Sequence, residues 1–275
     1  MLKTRVVTAL ILLAILLPIV FWLPAIYLSI FFLLIVVIAA WEWVRLIFSG
    51  SRRAEWIYVT LCLFVILGLL WINKPILEFA LLFLAAAFWI FTAPFLLAQG
   101  MGLTLQKWSI YYCGFGLILL PATWFALIYL RHIGLIFLLS TVALVWVADI
   151  GAYFIGKAFG KHRLAPQISP GKSIEGALGG LLLCYVYAVL CTIYLPLDAT
   201  LFGSWVLSWG WLSMLLMTSA LTAFSIFGDL FESQLKRLAG VKDSGRLLPG
   251  HGGVLDRVDA LLPVMPLAAL LAGML

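Results

Sequence analysis

From Gly228 to Asp259 the chain reads GDLFESQLKRLAGVKDSGRLLPGHGGVLDRVD, and the side chains able to do chemistry gather there. Asp229, Asp243, Asp256 and Asp259 stand among Lys236, Arg237, Lys242, Arg246 and Arg257, in a protein with only 10% charged residues. Apolar stretches, 205–227 and 260–275, flank the segment. Ionisable groups at a membrane boundary are costly and mark functional sites. Carboxylates mixed with Lys and Arg suit one substrate class, phosphates held through a metal ion.

Asp229 follows an apolar run. If the helix continues, Ser233 and Lys236 fall on its face, with Arg237 beside them. Snorkelling into headgroups accounts for Lys236 and Arg237 but not for an aspartate. Leu247-Leu248-Pro249-Gly250-His251-Gly252-Gly253 reads as an extended, permissive loop, either a mere turn or a cradle whose backbone N–H groups approach phosphate oxygens. His251 has no second His or Cys at zinc spacing, so it is expected to fix the loop or touch phosphate. Asp256 and Asp259 share a helix face and open the last apolar stretch, where negative charge is favoured. Capping needs one carboxylate. A second, together with Asp229, points to a divalent-cation site.

A second cluster lies between Asp149 and Gly176. Asp149 stands among Val, Trp and Ala near the end of an apolar run, with Tyr153 and Gly156 on its face. Lys157, Lys161, His162 and Arg163 follow, then Ser169-Pro170-Gly171-Lys172-Ser173-Ile174-Glu175-Gly176. The Gly-Lys-Ser triplet is not a P-loop, because Pro166 stands where that motif needs glycine. Ser169 and Pro170 read as the N-cap and first turn of a helix, which with Lys172 would form an anion pocket. The plainer alternative is positive-inside anchoring.

These groups need a scaffold, and composition names it. At 65% hydrophobic the chain is no soluble protein. Stretches of about 20 apolar residues recur, and the expected architecture is an all-α polytopic membrane protein with about nine transmembrane helices. They fall near 6–23, 25–44, 56–72, 76–98, 108–129, 133–155, 174–195, 205–228 and 260–275. With the N-terminus cytoplasmic and the C-terminus outside, every Lys and Arg except Lys74 and Arg131 falls inside. That includes Lys3 and Arg5, which open a retained first helix rather than a cleaved signal. The net charge of +6 then reflects topology and anionic lipid, with no nucleic acid to invoke. Residues 1–130 read as a transmembrane scaffold of about five helices. Residues 131–275 read as the catalytic region, with cytoplasmic loops at 156–173 and 229–259. Glu42 lies three residues before Arg45, a spacing that allows a simple surface pair. Cys62, Cys113, Cys184 and Cys191 lie inside apolar spans without metal spacing and read as small buried side chains.

The run Ser233-Gln-Leu-Lys236-Arg237, Lys242-Asp243, Leu248-Pro249-Gly250-His251-Gly252-Gly253 and Asp256-Arg257-Val258-Asp259 resembles the phosphatidate cytidylyltransferase (CDP-diacylglycerol synthase) signature, without departure. The segment from Asp149 to Gly176 is also similar to that family. The resemblance implies a reaction: phosphatidic acid and CTP give CDP-diacylglycerol and pyrophosphate, for phospholipid biosynthesis. It implies Mg²⁺ bound by Asp229 and Asp256, with K⁺ as a companion ion. It further implies catalytic importance for Ser233, Lys236 and Asp259, an inner-membrane enzyme facing the cytoplasm, and a homodimer. On that reading Lys172, Lys236, Arg237, Lys242 and Arg257 clamp phosphates. Asp149, Lys157, Lys161, Arg163, Ser169, Ser173, Asp243, His251, Gly252 and Gly253 complete the expected substrate contacts. Two other readings stay open at this point. A CTP-dependent lipid kinase would use similar helices and carboxylates. A transporter would also carry intramembrane acids, though its site belongs at the midplane.

Overall fold

The computed structural model describes residue 14 and residues 18–48, 50–250 and 252–275. Lys3, Arg5, His251 and most of the expected span 6–23 lie outside the described residues. Seven described helices are long and apolar enough to cross a membrane. They are α1 (Ala25–Ile47), α2 (Arg52–Ile72), α3 (Pro75–Ala98), α4 (Leu105–Ile133), α5 (Leu135–Phe159), α6 (Ile174–Tyr194) and α7 (Leu201–Leu238). They answer the expected spans from 25–44 to 205–228. α3 passes through a π-helical turn at Phe88–Thr92. α7 spans 38 residues as two helical stretches joined at a kink, where Gly210 takes φ 80°. Its last turns carry Asp229 to Lys236, so the helix continues past the expected span end at 228 and sets Ser233 and Lys236 on the face of Asp229.

The stretch 260–275 departs from expectation. The chain forms a short α8 (Leu255–Val258) and then α9 (Leu261–Ala272), whose 12 residues rise about 18 Å against a bilayer core of about 30 Å. Leu262, Val264, Met265, Ala268 and Ala269 are all buried, and α9 packs on α3, α4 and α7. A helix apolar all round is either a span or a core element, and composition does not separate the two. Here neighbouring helices, not lipid, satisfy it.

The turn 160–173 also differs. Ser169 and Pro170 do not start a helix. They lie in strand β2 (Ser169–Ser173), antiparallel to β1 (Arg163–Ala165), with Arg163 opposite Ser173 and Ala165 opposite Ser169. The N-cap of α6 is Ser173, whose hydroxyl accepts from the Gly176 N–H at 3.1 Å.

Contacts between distant segments fix which helix ends lie together. Gln234 of α7 donates to the carbonyls of Leu96 and Gly100, at the end of α3. Glu42, near the end of α1, accepts from Ser244 and Leu255. α5 ends against the start of α6, where Gly156 lies close to Gly176 and Ser173. The ends of α1, α3, α5 and α7 and the starts of α6 and α8 thus share one end of the bundle. Beneath them Phe231 of α7 packs its ring against Trp43, Phe88, Trp89 and Tyr112. These rings are buried, so the polar groups above them have a packed base.

Candidate active site

At that end a cavity of about 580 Å³ opens between α5, the β1–β2 hairpin, α6 and α7. Asp149, Lys157, Arg163, Lys172, Ser173 and Asp229 line its polar part. Ala148, Ala152, Ala177, Gly180 and Ile226 line its apolar part, which gives one wall for charge and one for hydrocarbon. The hairpin is what delivers Lys172: its ammonium lies 2.6 Å from Asp229 Oδ2. The other oxygen of Asp229 accepts from Ser233 Oγ at 3.3 Å, so the expected stripe on α7 is formed. Asp149 lines the cavity with Asp229 and Lys172, and the charges of those two groups and of Arg257 act on it.

Gly228 lets the second acid approach. A Cβ at this position would collide with the Asp259 carbonyl oxygen and the Pro263 ring. With hydrogen there instead, the turn between α8 and α9 lies directly on α7. Asp259 accepts from its neighbour Ala260 N–H at 2.8 Å. Burial, and then the like charge of Asp229, push its carboxyl well above the usual carboxylate range.

A second charge cluster continues away from the cavity. Lys236 pairs with Glu232 one helical turn before it and with Asp256 Oδ1 at 2.6 Å. Asp256 also accepts from Ser244 N–H at 3.0 Å and Gly253 N–H at 2.7 Å. Burial opposes its ionisation, but the Lys236 ammonium and the Gly253 N–H outweigh that and hold its carboxyl below the usual range. The N–H of Gly253, expected to face phosphate, is thus spent on Asp256. Gly252 accepts from Leu248 N–H at 2.9 Å and takes φ 83° to close the loop.

Several expected contacts lie off the cavity. Lys161 contributes its N–H to Glu175 at 3.1 Å, and His162 joins the same carboxylate through Nδ1 at 2.6 Å. Arg237 turns to the Val241 carbonyl. Ser169 sits in the hairpin, and Lys242 and Asp243 are exposed on the 239–254 loop. One acid, Glu232, goes unremarked in the sequence reading, and another, Glu42, enters it with a surface pair as the leading account. Glu232 lies on the Lys236 stripe, and its spacing from that lysine was the available signal. Glu42 is fully buried and makes no pair with Arg45, which instead meets Glu55 at 3.7 Å and lies over the Trp41 ring.

The donor set suits a divalent cation. The like charge of Asp229 acts on Asp259, a repulsion that a cation would relieve. Among the described residues no three His, Cys, Asp or Glu side chains cluster closely enough to hold a metal alone. Mg²⁺ is usually bound by one or two carboxylates together with substrate phosphates.

The sequence matches the model of the cytidylyltransferase family over residues 3–275. It is 40% identical over 276 residues, 98% of this chain and 97% of the relative, to a phosphatidate cytidylyltransferase of Pseudomonas aeruginosa. It is 48% identical over 133 residues to the Haemophilus influenzae protein of that name, which covers 48% of this chain and 44% of the relative. A third, from Staphylococcus haemolyticus, is 44% identical over 163 residues, 59% of this chain and 56% of the relative.

Proposed function

The chain belongs to the cytidylyltransferase family, and from that premise we propose that it transfers the cytidylyl group of CTP to phosphatidic acid, giving CDP-diacylglycerol and pyrophosphate. The observation that carries the reading is the cavity itself. It joins a wall of Lys157, Arg163 and Lys172 to an apolar wall of small side chains, at the end of the bundle where the Asp229–Asp259 pair lies. A polyanion and a lipid headgroup need those two walls side by side.

The chemistry asks for charge control more than for a base. A phosphatidate oxygen, already anionic, attacks the α-phosphorus of CTP. The new P–O bond forms as the bond to the bridging oxygen breaks, and pyrophosphate leaves with that electron pair. Two polyanions must approach, so the barrier is electrostatic. Lys172, Lys157 and Arg163 neutralise phosphate oxygens within the cavity. Lys236, Arg237, Lys242 and Arg257 add positive charge from the α7 end and the following loop. Ser233 orients Asp229 through its hydroxyl, and Ser173 fixes the start of α6 beside Lys172. Mg²⁺ would be held by Asp229 and Asp256, with Asp259 as a further carboxylate, and K⁺ would be its companion. When bound, Mg²⁺ supplies Lewis-acid stabilisation of charge on the phosphates.

The protein is an integral membrane protein. We place it in a bacterial inner membrane with the N-terminus, the site and both polar loops on the cytoplasmic side, where CTP is available. A homodimer and the absence of any nucleic-acid role belong to the same proposal. The test is one incubation of detergent-purified protein with phosphatidic acid, Mg²⁺ and CTP radiolabelled at the α-phosphate. Label should move into a chloroform-soluble nucleotide lipid, and CTP labelled at the γ-phosphate should release labelled pyrophosphate. Transfer of the γ-label to lipid would show a kinase instead.

A further inference from the structure

We propose that Glu42, on α1 and far in sequence from every other site residue, is a positioning residue for cytidylyl transfer: the 239–254 loop closes around its buried carboxylate and thereby holds Asp256 against Lys236. The inference rests on the cytidylyl-transfer reading for its kinetic test alone. Its geometry stands by itself.

Glu42 is 0% exposed. One oxygen, Oε2, accepts from Ser244 Oγ at 3.0 Å and from Leu255 N–H at 2.7 Å. Gly245 and Gly253 press on the same carboxylate, so closely that a Cβ on either would overlap it. Thus the loop touches Glu42 just after it leaves α7 and again just before it enters α8. These same residues hold Asp256. Ser244 donates its hydroxyl to Glu42 and its N–H to Asp256 at 3.0 Å, while Gly253 packs on one acid and donates to the other at 2.7 Å. Ser244 is therefore a two-ended link, and Asp256 has its loop-side hydrogen bonds only while the loop is wrapped on Glu42.

An apolar side chain would fill this space at lower cost. A buried carboxylate loses its hydration, and Oε1 of Glu42 has no hydrogen-bond partner among the described residues to replace it. What an apolar residue lacks is the acceptor that seats Ser244 and Leu255. The acid is thus explained by the loop it organises, and the N-terminal helices become part of the catalytic apparatus.

The experiment compares wild type with Glu42→Ala, Glu42→Gln and Ser244→Ala, in kinetics and in amide hydrogen exchange over residues 241–256. Loss of two hydrogen bonds to a charged acceptor should lower kcat about 100-fold in Glu42→Ala, with KM for phosphatidate within about threefold of wild type. Glu42→Gln keeps an acceptor and should recover at least about tenfold of that loss, with Ser244→Ala between the two. Exchange of the 241–256 amides should accelerate in the same order. A kcat within about threefold of wild type in Glu42→Ala overturns the proposal. So does an equal loss in Ala and Gln, or a loss expressed only in KM. Should Glu42→Ala fail to fold, Glu42→Gln and Ser244→Ala decide, and wild-type kcat in Ser244→Ala overturns it. Should wild type make no lipid from CTP, the functional reading fails. Exchange then still judges Glu42, and protection of 241–256 unchanged in all variants overturns its role.

Discussion

At the scale of single residues, Asp229 and Lys172 form the most exposed ion pair of the site, with side chains 33% and 25% accessible. Such a pair contributes little to folding, about 0–1 kcal/mol, because water screens it. Its value must lie in what each partner does when substrate arrives. Asp229→Asn keeps shape and removes charge. It is expected to lower CDP-diacylglycerol formation by about 100-fold or more, with thermal unfolding unchanged, since it deletes charge stabilisation at the reacting phosphates. Near wild-type turnover would end the metal role for Asp229. Lys172→Met removes the ammonium but keeps the stem. It should reduce kcat/KM for CTP by about 100-fold with KM for phosphatidate little changed, as measured by initial rates at varied CTP. The sequence exposes both residues readily, because charge inside an apolar chain is conspicuous. It hides Glu232 and Glu42 for a different reason. One looks like a helix partner of Lys236 and the other like a partner of Arg45, and only packing shows which pairings form.

Elements decide how close the acids come. α7 and the α8–α9 turn meet at Gly228, where a side chain would collide with the Asp259 carbonyl and Pro263. Gly228→Val is expected to separate them, costing about 1–3 kcal/mol through overpacking and lowering activity more than tenfold. A fall in unfolding temperature together with lost turnover, measured on the same purified sample, checks it. Unchanged stability would mean that α9 can shift without cost. Helix identity and most boundaries are legible because runs of apolar residues are long and basic residues punctuate them. The hairpin is not, since Ser169-Pro170-Gly171 serves a helix start and an edge strand equally well. Pairing with Arg163–Ala165 is a tertiary choice, and local propensity gives no hint of it. α9 fails for a related reason. Its Leu, Val, Met and Ala would suit lipid, and nothing local says that α3, α4 and α7 will surround them.

The whole molecule separates its two ends by charge. Arg45, Arg52, Arg53, Lys107, Lys161, Lys236 and Lys242 belong to segments whose contacts gather at the end with the cavity. Lys74 and Asp198 lie in the short turns that join the helices at the other end. The alternation of helices read from sequence therefore agrees with contacts made hundreds of residues apart in some cases, as between Glu42 and Leu255. The proposed orientation in the membrane rests on the bias of positive charge towards the end with the cavity. Single cysteines placed at Lys161 and Lys242 should react with an impermeant maleimide in inverted vesicles and stay unlabelled in sealed cells. A cysteine at Asp198 should show the opposite pattern. The native thiols make a low background, since Cys62, Cys184 and Cys191 are buried and Cys113 is half-buried within α4. Labelling of Lys161→Cys from outside would put the cavity where CTP is absent. The proposed reaction would then have no nucleotide to use, however well the acids and lysines are arranged.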